Sequence, residues 1–320
     1  MTRADLVVAL AKAAASGDQQ RVRRTLEAII AEERQKQHNV VAEELVRVLE
    51  RPAPASNGTL RLGETAESLV HEIVPGRKLD DLVLPAIVVA VARQLAEEQH
   101  RIDLLRAYNL EPRNKVLLIG PPGNGKTSLA EALAAELLSP MYVVRYEGVV
   151  ASYLGETASR LQRLFDFVRT RRCVLFLDEF DTIAKERGDE HETGEIKRVV
   201  SSLLLQIDQL PSHVVVITAT NHPELLDRAV WRRFQVRLDL PAPTREQRQE
   251  WFERFQRRAD FDLGYSPRTL ADRLSGLSFA EIEEFALDIQ RQWVLGLPES
   301  DSRRIVKETL DQWATRARSL

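Results

Sequence analysis

The middle of the chain alternates short apolar runs with segments of helical periodicity. Each run is rich in β-branched or aliphatic residues, which favours a strand; the runs are residues 116–119, 142–146, 174–177, 214–218 and 236–240. Continuous apolar strands separated by helices are typical of a parallel sheet that is buried on both faces. Residues 79–244 are therefore predicted to form an α/β domain around a parallel five-stranded sheet.

The C-terminal part of the chain lacks such runs. Beyond Pro241 and Pro243 the periodicity is helical, with one break near Gly276. Proline ends the last strand pattern because it cannot donate to a sheet ladder. Residues 245–320 are therefore predicted to form a small helical lid that follows the α/β domain.

Residues 1–50 are predicted to form a separate all-α domain. Apolar residues recur there at helical spacing; they are Leu6, Leu10, Val22, Leu26, Ile29, Ile30, Val41, Leu45, Val48 and Leu49. Residues 51–78 are interpreted as a linker, because Pro52, Pro54 and Gly58 disfavour a helix. The small domain either recruits a substrate or partner, or supports oligomer packing, and the sequence leaves both roles open.

The charge balance and the cysteine content narrow the classes of function. Lysine and arginine total 45 against 48 aspartate and glutamate, so the net charge of -3 gives no general attraction to nucleic acid or acidic membranes. The single cysteine, Cys173, excludes an internal disulfide and is expected to be a small core residue. No apolar run approaches the roughly 18 residues of a membrane span. We therefore expect a cytoplasmic protein without a membrane or nucleic-acid partner.

A glycine-rich segment follows the first apolar run and precedes a helical pattern. Its residues are Gly120, Pro121, Pro122, Gly123, Asn124, Gly125, Lys126, Thr127 and Ser128. Strand, glycine-rich turn and helix in this order form the context in which a P-loop binds phosphate, through backbone N–H groups and the helix dipole. Lys126 is expected to reach the β- and γ-phosphates of ATP, and Thr127 is expected to bind Mg²⁺.

Two carboxylates follow the apolar run 174–177. Asp178 and Glu179 come directly after it, at the carboxyl end of a strand, where ligands bind in parallel sheets. Alone, the pair could equally be solvated acids at a strand end. Beside a phosphate site, Asp178 is expected to hold Mg²⁺, and Glu179 is expected to orient and activate the attacking water.

With these two motifs, the sequence from about Leu79 to the C-terminus resembles the AAA clade of AAA+ ATPases. The resemblance implies ATP hydrolysis in a homo-oligomeric ring, which is a hexamer in most members. It places Asn221, in Thr218-Ala-Thr-Asn221, at the sensor position that contacts the γ-phosphate or the attacking water. It also places Gly276 in the turn, before the lid helix, that contacts the nucleotide. No arginine stands at the start of that helix, so a second sensor arginine is absent.

The same resemblance assigns two neighbouring arginines. Arg232 and Arg233, in Leu226-Asp-Arg-Ala-Val-Trp-Arg-Arg-Phe234, resemble the paired fingers that enter the nucleotide site of the adjacent subunit. From the residues alone, the pair could be a solvated helix face.

A third segment points to mechanical work. Tyr153-Leu154-Gly155 resembles the first pore loop of the family. An aromatic ring offers sequence-tolerant contact with an extended polypeptide, and glycine lets a loop move. The alternative is that Tyr153 packs on the following helix. The polar segment 185–194 is either a second pore loop or a surface loop.

A finer resemblance suggests a partner. Residues 79–85, 104–113, 178–181 and 194–198 together are similar to bacterial AAA ATPases encoded beside a subtilisin-like serine protease, some of which act in phage defence. The resemblance implies an ATPase that unfolds or remodels a protein substrate and feeds or controls that protease. Two alternatives share the nucleotide site: a ring that switches a partner without threading it, and a DNA-directed AAA+ loader or regulator. The near-neutral charge argues against DNA.

Overall fold

The computed structural model describes residues 69–145, 154–181, 195–259 and 261–316. The predicted N-terminal domain 1–50, Tyr153 and the polar segment 185–194 lie outside these residues. The helices are α1 (Ala86–His100), α2 (Ile102–Ala107), α3 (Lys126–Glu136), α4 (Leu154–Arg169), α5 (Glu195–Asp208), α6 (Arg228–Trp231), α7 (Arg245–Ala259), α8 (Pro267–Arg273), α9 (Phe279–Leu295) and α10 (Ser302–Arg316).

The centre of the fold is a six-stranded sheet. Its strands are β1 (Val70–Ile73), β2 (Lys115–Ile119), β3 (Met141–Val144), β4 (Cys173–Leu177), β5 (Val214–Thr220) and β6 (Val236–Asp239). They lie in the order β1-β3-β4-β5-β2-β6. Strands β2 to β6 are parallel, and only the edge strand β1 pairs antiparallel, with β3. The predicted α/β P-loop fold is confirmed.

The prediction of five strands was wrong by one. Strand β1 lies inside residues 51–78, which the sequence analysis assigned to a linker. His71 and Glu72 are exposed in its centre, so the segment carries no apolar run that would predict a strand. Pairing with β3 forms it nonetheless, with Val70 opposite Val144 and Ile73 opposite Met141. A short, polar strand of this kind closes the edge of a sheet against further pairing.

Helices cover both faces of the sheet. Every residue of β4 and β5 is buried. One face packs against α4 and α5 through side chains such as Phe165 and Leu204. The other face packs against α1 and α3 through side chains such as Leu95 and Leu133. The three layers explain why the parallel strands read as continuous apolar runs. Burial also raises the pKa of the Cys173 thiol to about 12, which keeps this core residue protonated.

Helices α7 to α10 form a lid with a core of its own. Phe252, Phe285 and Ile289 are fully buried in that core. Helix α9 begins at a capping box, in which Ser278 Oγ accepts from the Glu281 amide and the Glu281 carboxylate accepts from the Ser278 amide. Within the described residues, no helix combines the length and apolar character that a membrane span requires.

Candidate functional site

The glycine-rich turn connects β2 to α3 in a conformation that requires glycine. Gly120 and Gly123 have φ angles of 149° and 75°, which L-residues rarely adopt. A Cβ atom on Gly120 would lie 2.1 Å from the carbonyl oxygen of Leu240. Helix α3 begins at Lys126, so its free N–H groups and positive dipole end face the turn. This arrangement binds anions.

The Lys126 side chain crosses the turn and joins it to β5. Its ammonium donates to the carbonyl oxygens of Gly120 at 2.7 Å and Pro121 at 3.0 Å, and to Asn221 Oδ1 at 2.6 Å. Burial lowers the pKa of Lys126 below its ordinary value, while the charges of Asp178 and Asp181 act in the opposite direction. The site therefore holds a partly desolvated cation that a phosphate would stabilise.

Two oxygen ligands lie next to each other at the start of α3. Thr127 Oγ1 donates to Asp178 Oδ2 at 3.0 Å. A hydroxyl and a carboxylate are donors that suit Mg²⁺, which binds oxygen and usually retains several waters beside one or two carboxylates. In the described part of the chain, no cluster of three or more His, Cys, Asp or Glu could hold a metal by itself. The pair thus fits an ion that shares its ligands with a nucleotide and water.

Glu179 lies at the end of β4 with a strained backbone. Its φ angle is 47°, in the left-handed region, and its amide donates to Asp178 Oδ1 at 2.9 Å. A non-glycine residue in this region costs on the order of 1–3 kcal/mol, and such residues are concentrated at functional sites. The strain and the exposed side chain are consistent with a carboxylate held ready for chemistry.

The sequence analysis gave no role to Asp181, which fixes the sensor position. Its carboxylate is only 8% exposed and accepts from Thr220 Oγ1 at 2.9 Å and from the Asn221 amide at 3.1 Å. Asp181 therefore holds the backbone of Asn221, whose side chain contacts Lys126. The spacing of Asp178, Glu179 and Asp181 could have suggested this role, but the contact with β5 required the fold.

These residues surround a cavity of about 650 Å³ between the sheet and the lid. Its polar wall contains Lys126, Thr127, Asp178, Glu179 and Asn221. Its other wall consists of residues for which the sequence contains no motif; they include Leu82, Val83, Trp251, Phe279 and Ala280. A cavity of this size with one polar and one apolar wall accommodates a drug-sized or nucleotide-sized ligand.

The lid is bonded directly to the glycine-rich turn. The Ala280 amide donates to the Gly123 carbonyl at 2.9 Å, and the Phe279 amide donates to Asn124 Oδ1 at 3.4 Å. Gly276 lines a smaller adjacent cavity with Pro121 and Pro122, whereas helix α9 itself reaches the main cavity. The lid position therefore depends on the conformation of the turn.

A second attachment joins the lid to the segment before α1. Arg254 of α7 donates to the carbonyl oxygens of Asp80 at 2.6 Å and Leu82 at 3.3 Å. Leu82 also lines the main cavity. The lid is thus held on both sides of the space that a ligand would fill.

Arg232 and Arg233 are not brought to this cavity. They follow α6, at the edge of the sheet where β2 and β6 begin, and the next residue but one, Gln235, donates its amide to the Lys115 carbonyl at 3.1 Å. The P-loop lies at the other end of β2, which separates the two edges by roughly 13 Å. Neither arginine contributes to the cavity of its own chain.

The two described pore-loop residues lie at a helix terminus. Leu154 and Gly155 are the first residues of α4. Further along, α4 is anchored in the core by Leu161, Phe165 and Val168. The start of α4 is therefore attached to a rigid helix.

Comparisons with known proteins agree with this geometry. The model of the ATPase family associated with various cellular activities (AAA) matches residues 116–242. An uncharacterized AAA family ATPase of Sinorhizobium fredii is 36% identical over 99% of this chain and 98% of its own length. A putative 26S proteasome regulatory subunit homolog of Methanothermobacter marburgensis is 29% identical over 82% of this chain and 70% of its own length. A katanin p60 ATPase of Mus musculus is 34% identical over 64% of this chain and 45% of its own length.

The contact between the turn and the lid gives a prediction about stability. A Cβ atom on Gly123 would lie 2.7 Å from Ser278 Oγ, whereas a Cβ atom on Gly125 would meet nothing within 4 Å. Both glycines have positive φ, so alanine costs roughly 1–2 kcal/mol of backbone strain at either position. We expect Gly123→Ala to lower the free energy of unfolding by more than Gly125→Ala, measured by urea denaturation without nucleotide. Equal losses would contradict a close lid contact.

Proposed function

This chain belongs to the AAA family of ATPases, and on that premise we propose that it hydrolyses ATP with Mg²⁺ in a cytoplasmic ring and thereby remodels or unfolds another protein. The observation that carries the proposal is the convergence of five polar side chains on one cavity. These are Lys126, Thr127, Asp178, Glu179 and Asn221. Phosphoryl transfer depends on positioning and charge stabilisation, which these groups supply together.

Lys126 is the residue that ATP would rearrange. Its three present acceptors are two backbone carbonyls and the Asn221 amide oxygen. Charged phosphate oxygens accept stronger hydrogen bonds than these neutral groups. Lys126 therefore exchanges them for the β- and γ-phosphates, and Asn221 becomes available to the γ-phosphate or to the attacking water.

Thr127 and Asp178 would hold the magnesium ion. When bound, Mg²⁺ bridges phosphate oxygens and offsets their charge. Glu179 orients the water and takes its proton, since its carboxylate lies beside these groups and faces the cavity. The bond from its amide to Asp178 keeps the two carboxylates in a fixed relation.

Hydrolysis would be completed between neighbouring copies of the chain. Arg232 lies at the edge of the sheet remote from its own P-loop, so it can act only on the site of another copy. Such a finger, supplied in trans, stabilises the charge of the transition state. Fingers that act in one direction around an assembly imply a head-to-tail ring, and we propose a hexamer.

The substrate we propose is a protein. In support, relatives are named as a proteasome regulatory subunit homolog and as a katanin ATPase. We propose that Tyr153, Leu154 and Gly155 grip an extended polypeptide, because Leu154 begins a helix that is anchored in the ATPase core. We further propose that the partner is a subtilisin-like serine protease acting in phage defence, on the strength of the sequence resemblance.

Replacement of Glu179 by glutamine tests the chemical step. Glu179→Gln keeps the shape of the side chain but removes its basicity, so we expect ATP binding to persist while kcat falls about 10²-fold or more. Phosphate release and equilibrium binding of ATP measure the two effects. Lys126→Ala is the matched control, in which binding itself should fail. Retention of kcat in Glu179→Gln would remove Glu179 from the mechanism.

Replacement of Tyr153 separates hydrolysis from mechanical work. We expect Tyr153→Ala to hydrolyse ATP at nearly the original rate and to lose action on a protein substrate, because the aromatic contact is lost while the cavity is intact. Tyr153→Phe should retain both activities. ATP turnover and unfolding of a tagged fluorescent protein are measured in parallel. Unchanged unfolding by Tyr153→Ala would refute the pore-loop assignment.

The partner is tested by capture from the native host. Glu179→Gln with ATP should hold the ring in the bound state, and Lys126→Ala provides the form without nucleotide. We expect mass spectrometry to find a subtilisin-like protease with the first variant and not with the second. Absence of the protease would remove that partner and leave a general remodelling ATPase. If the captured protease is fully active with Glu179→Gln, the ring switches its partner without threading.

A further inference from the structure

We infer that Arg232 and Arg233, although adjacent, have different roles: Arg232 alone enters the neighbouring nucleotide site, and Arg233 is a positioning residue tied to Asp208 of its own chain. The inference rests on the proposed function, because it assigns roles within the site between subunits. It departs from the sequence-based expectation that both arginines are fingers.

Arg233 is occupied within its own subunit. Its Nε donates to Asp208 Oδ2 at 2.7 Å, the short distance of a charge-assisted hydrogen bond. The two side chains are 30% and 36% exposed, so solvent screens the pair only in part. Lys115 also approaches Asp208, with its Nζ 3.7 Å from Oδ1. Asp208 therefore faces two cations and is well suited to hold one in place.

Arg232 has the opposite environment. Its side chain is exposed and makes no hydrogen bond or ion pair with the part of the chain that the structure describes. The guanidinium is thus available to a group on another molecule. Arg233 could serve in the same way only by giving up Asp208.

The backbone on both sides of Arg232 is fixed. On one side, Asp227 caps α6 by accepting from the Val230 amide at 2.8 Å. On the other side, the Gln235 side chain accepts from the amides of Asn114 and Lys115 at 3.0 Å and 3.2 Å. The Arg233–Asp208 pair adds a third attachment, to the last residue of α5. A reactive side chain works best on a rigid support, because its ordering is completed before the substrate arrives.

Lysine substitutions at the two positions form a matched pair. Lysine at position 233 can still pair with Asp208, so we expect Arg233→Lys to keep kcat close to that of the unaltered ring. Lysine at position 232 lacks the planar fork that stabilises a transferring phosphoryl group. We expect Arg232→Lys to lower kcat on the order of 10³-fold, the scale of fingers measured in GTPases. ATP turnover is measured in rings whose mass is verified by light scattering, with KM for ATP recorded beside kcat.

Removal of the pair tests whether Arg233 acts through Asp208. Asp208→Asn and Arg233→Gln should each lower kcat roughly two- to fivefold, the range for partly exposed ion pairs. The double variant should be no worse than either single variant, because both remove the same contact. Lys115→Gln is the control for the second cation at Asp208 and should leave kcat nearly unchanged.

Two results would overturn the assignment: Arg233→Lys as slow as Arg232→Lys, or Asp208→Asn with unchanged kcat beside an impaired Arg233→Gln. Either result makes Arg233 a finger in its own right. Full activity of Arg232→Lys in an intact ring would instead refute the proposed finger at Arg232. The comparison of Asp208→Asn with Arg233→Gln then still decides whether Arg233 is tied to Asp208.

Discussion

The burial of a parallel sheet between two helical layers is the constraint on which the rest of the structure depends. Parallel strands end at one edge, so residues that follow β2, β4 and β5 become neighbours whatever their separation in sequence. The register places Ile119 opposite Thr220 and Leu177 opposite Thr218. Lys126, Asp178 and Asn221 therefore converge although each follows a different strand. The apolar packing that stabilises the sheet also positions the polar site.

The lid turns this edge into an enclosed cavity. Its attachments include the Gly123 carbonyl and, through Arg254, the carbonyls of Asp80 and Leu82. A ligand between these attachments contacts the P-loop and the lid at once. Lid movement and nucleotide state are thereby linked by short hydrogen bonds, which require no arginine at the start of α9.

The opposite edge of the sheet connects to the helices that lead toward the pore residues. Asp208, which pairs with Arg233, ends α5. Within the same helix Gln206 accepts from Arg169 of α4 at 2.7 Å, and Gln209 just beyond it accepts at 3.0 Å. Helix α4 begins at Leu154. A continuous polar contact thus runs from the arginine pair to the helix that carries the pore residues, which gives the two functions a physical connection.

The sequence by itself determined the local chemistry: the phosphate-binding turn at residues 120–128, the carboxylates after 174–177 and the parallel apolar strands. Each depends on contiguous residues whose spacing fixes both conformation and chemical groups. Only the tertiary structure decided on strand β1, the apolar cavity wall, the role of Asp181 and the separation of Arg232 from Arg233. These features arise from contacts between distant segments, such as Arg233 with Asp208. Two adjacent arginines are chemically identical in sequence, and only the packing of α5 beside them makes one tied and the other exposed.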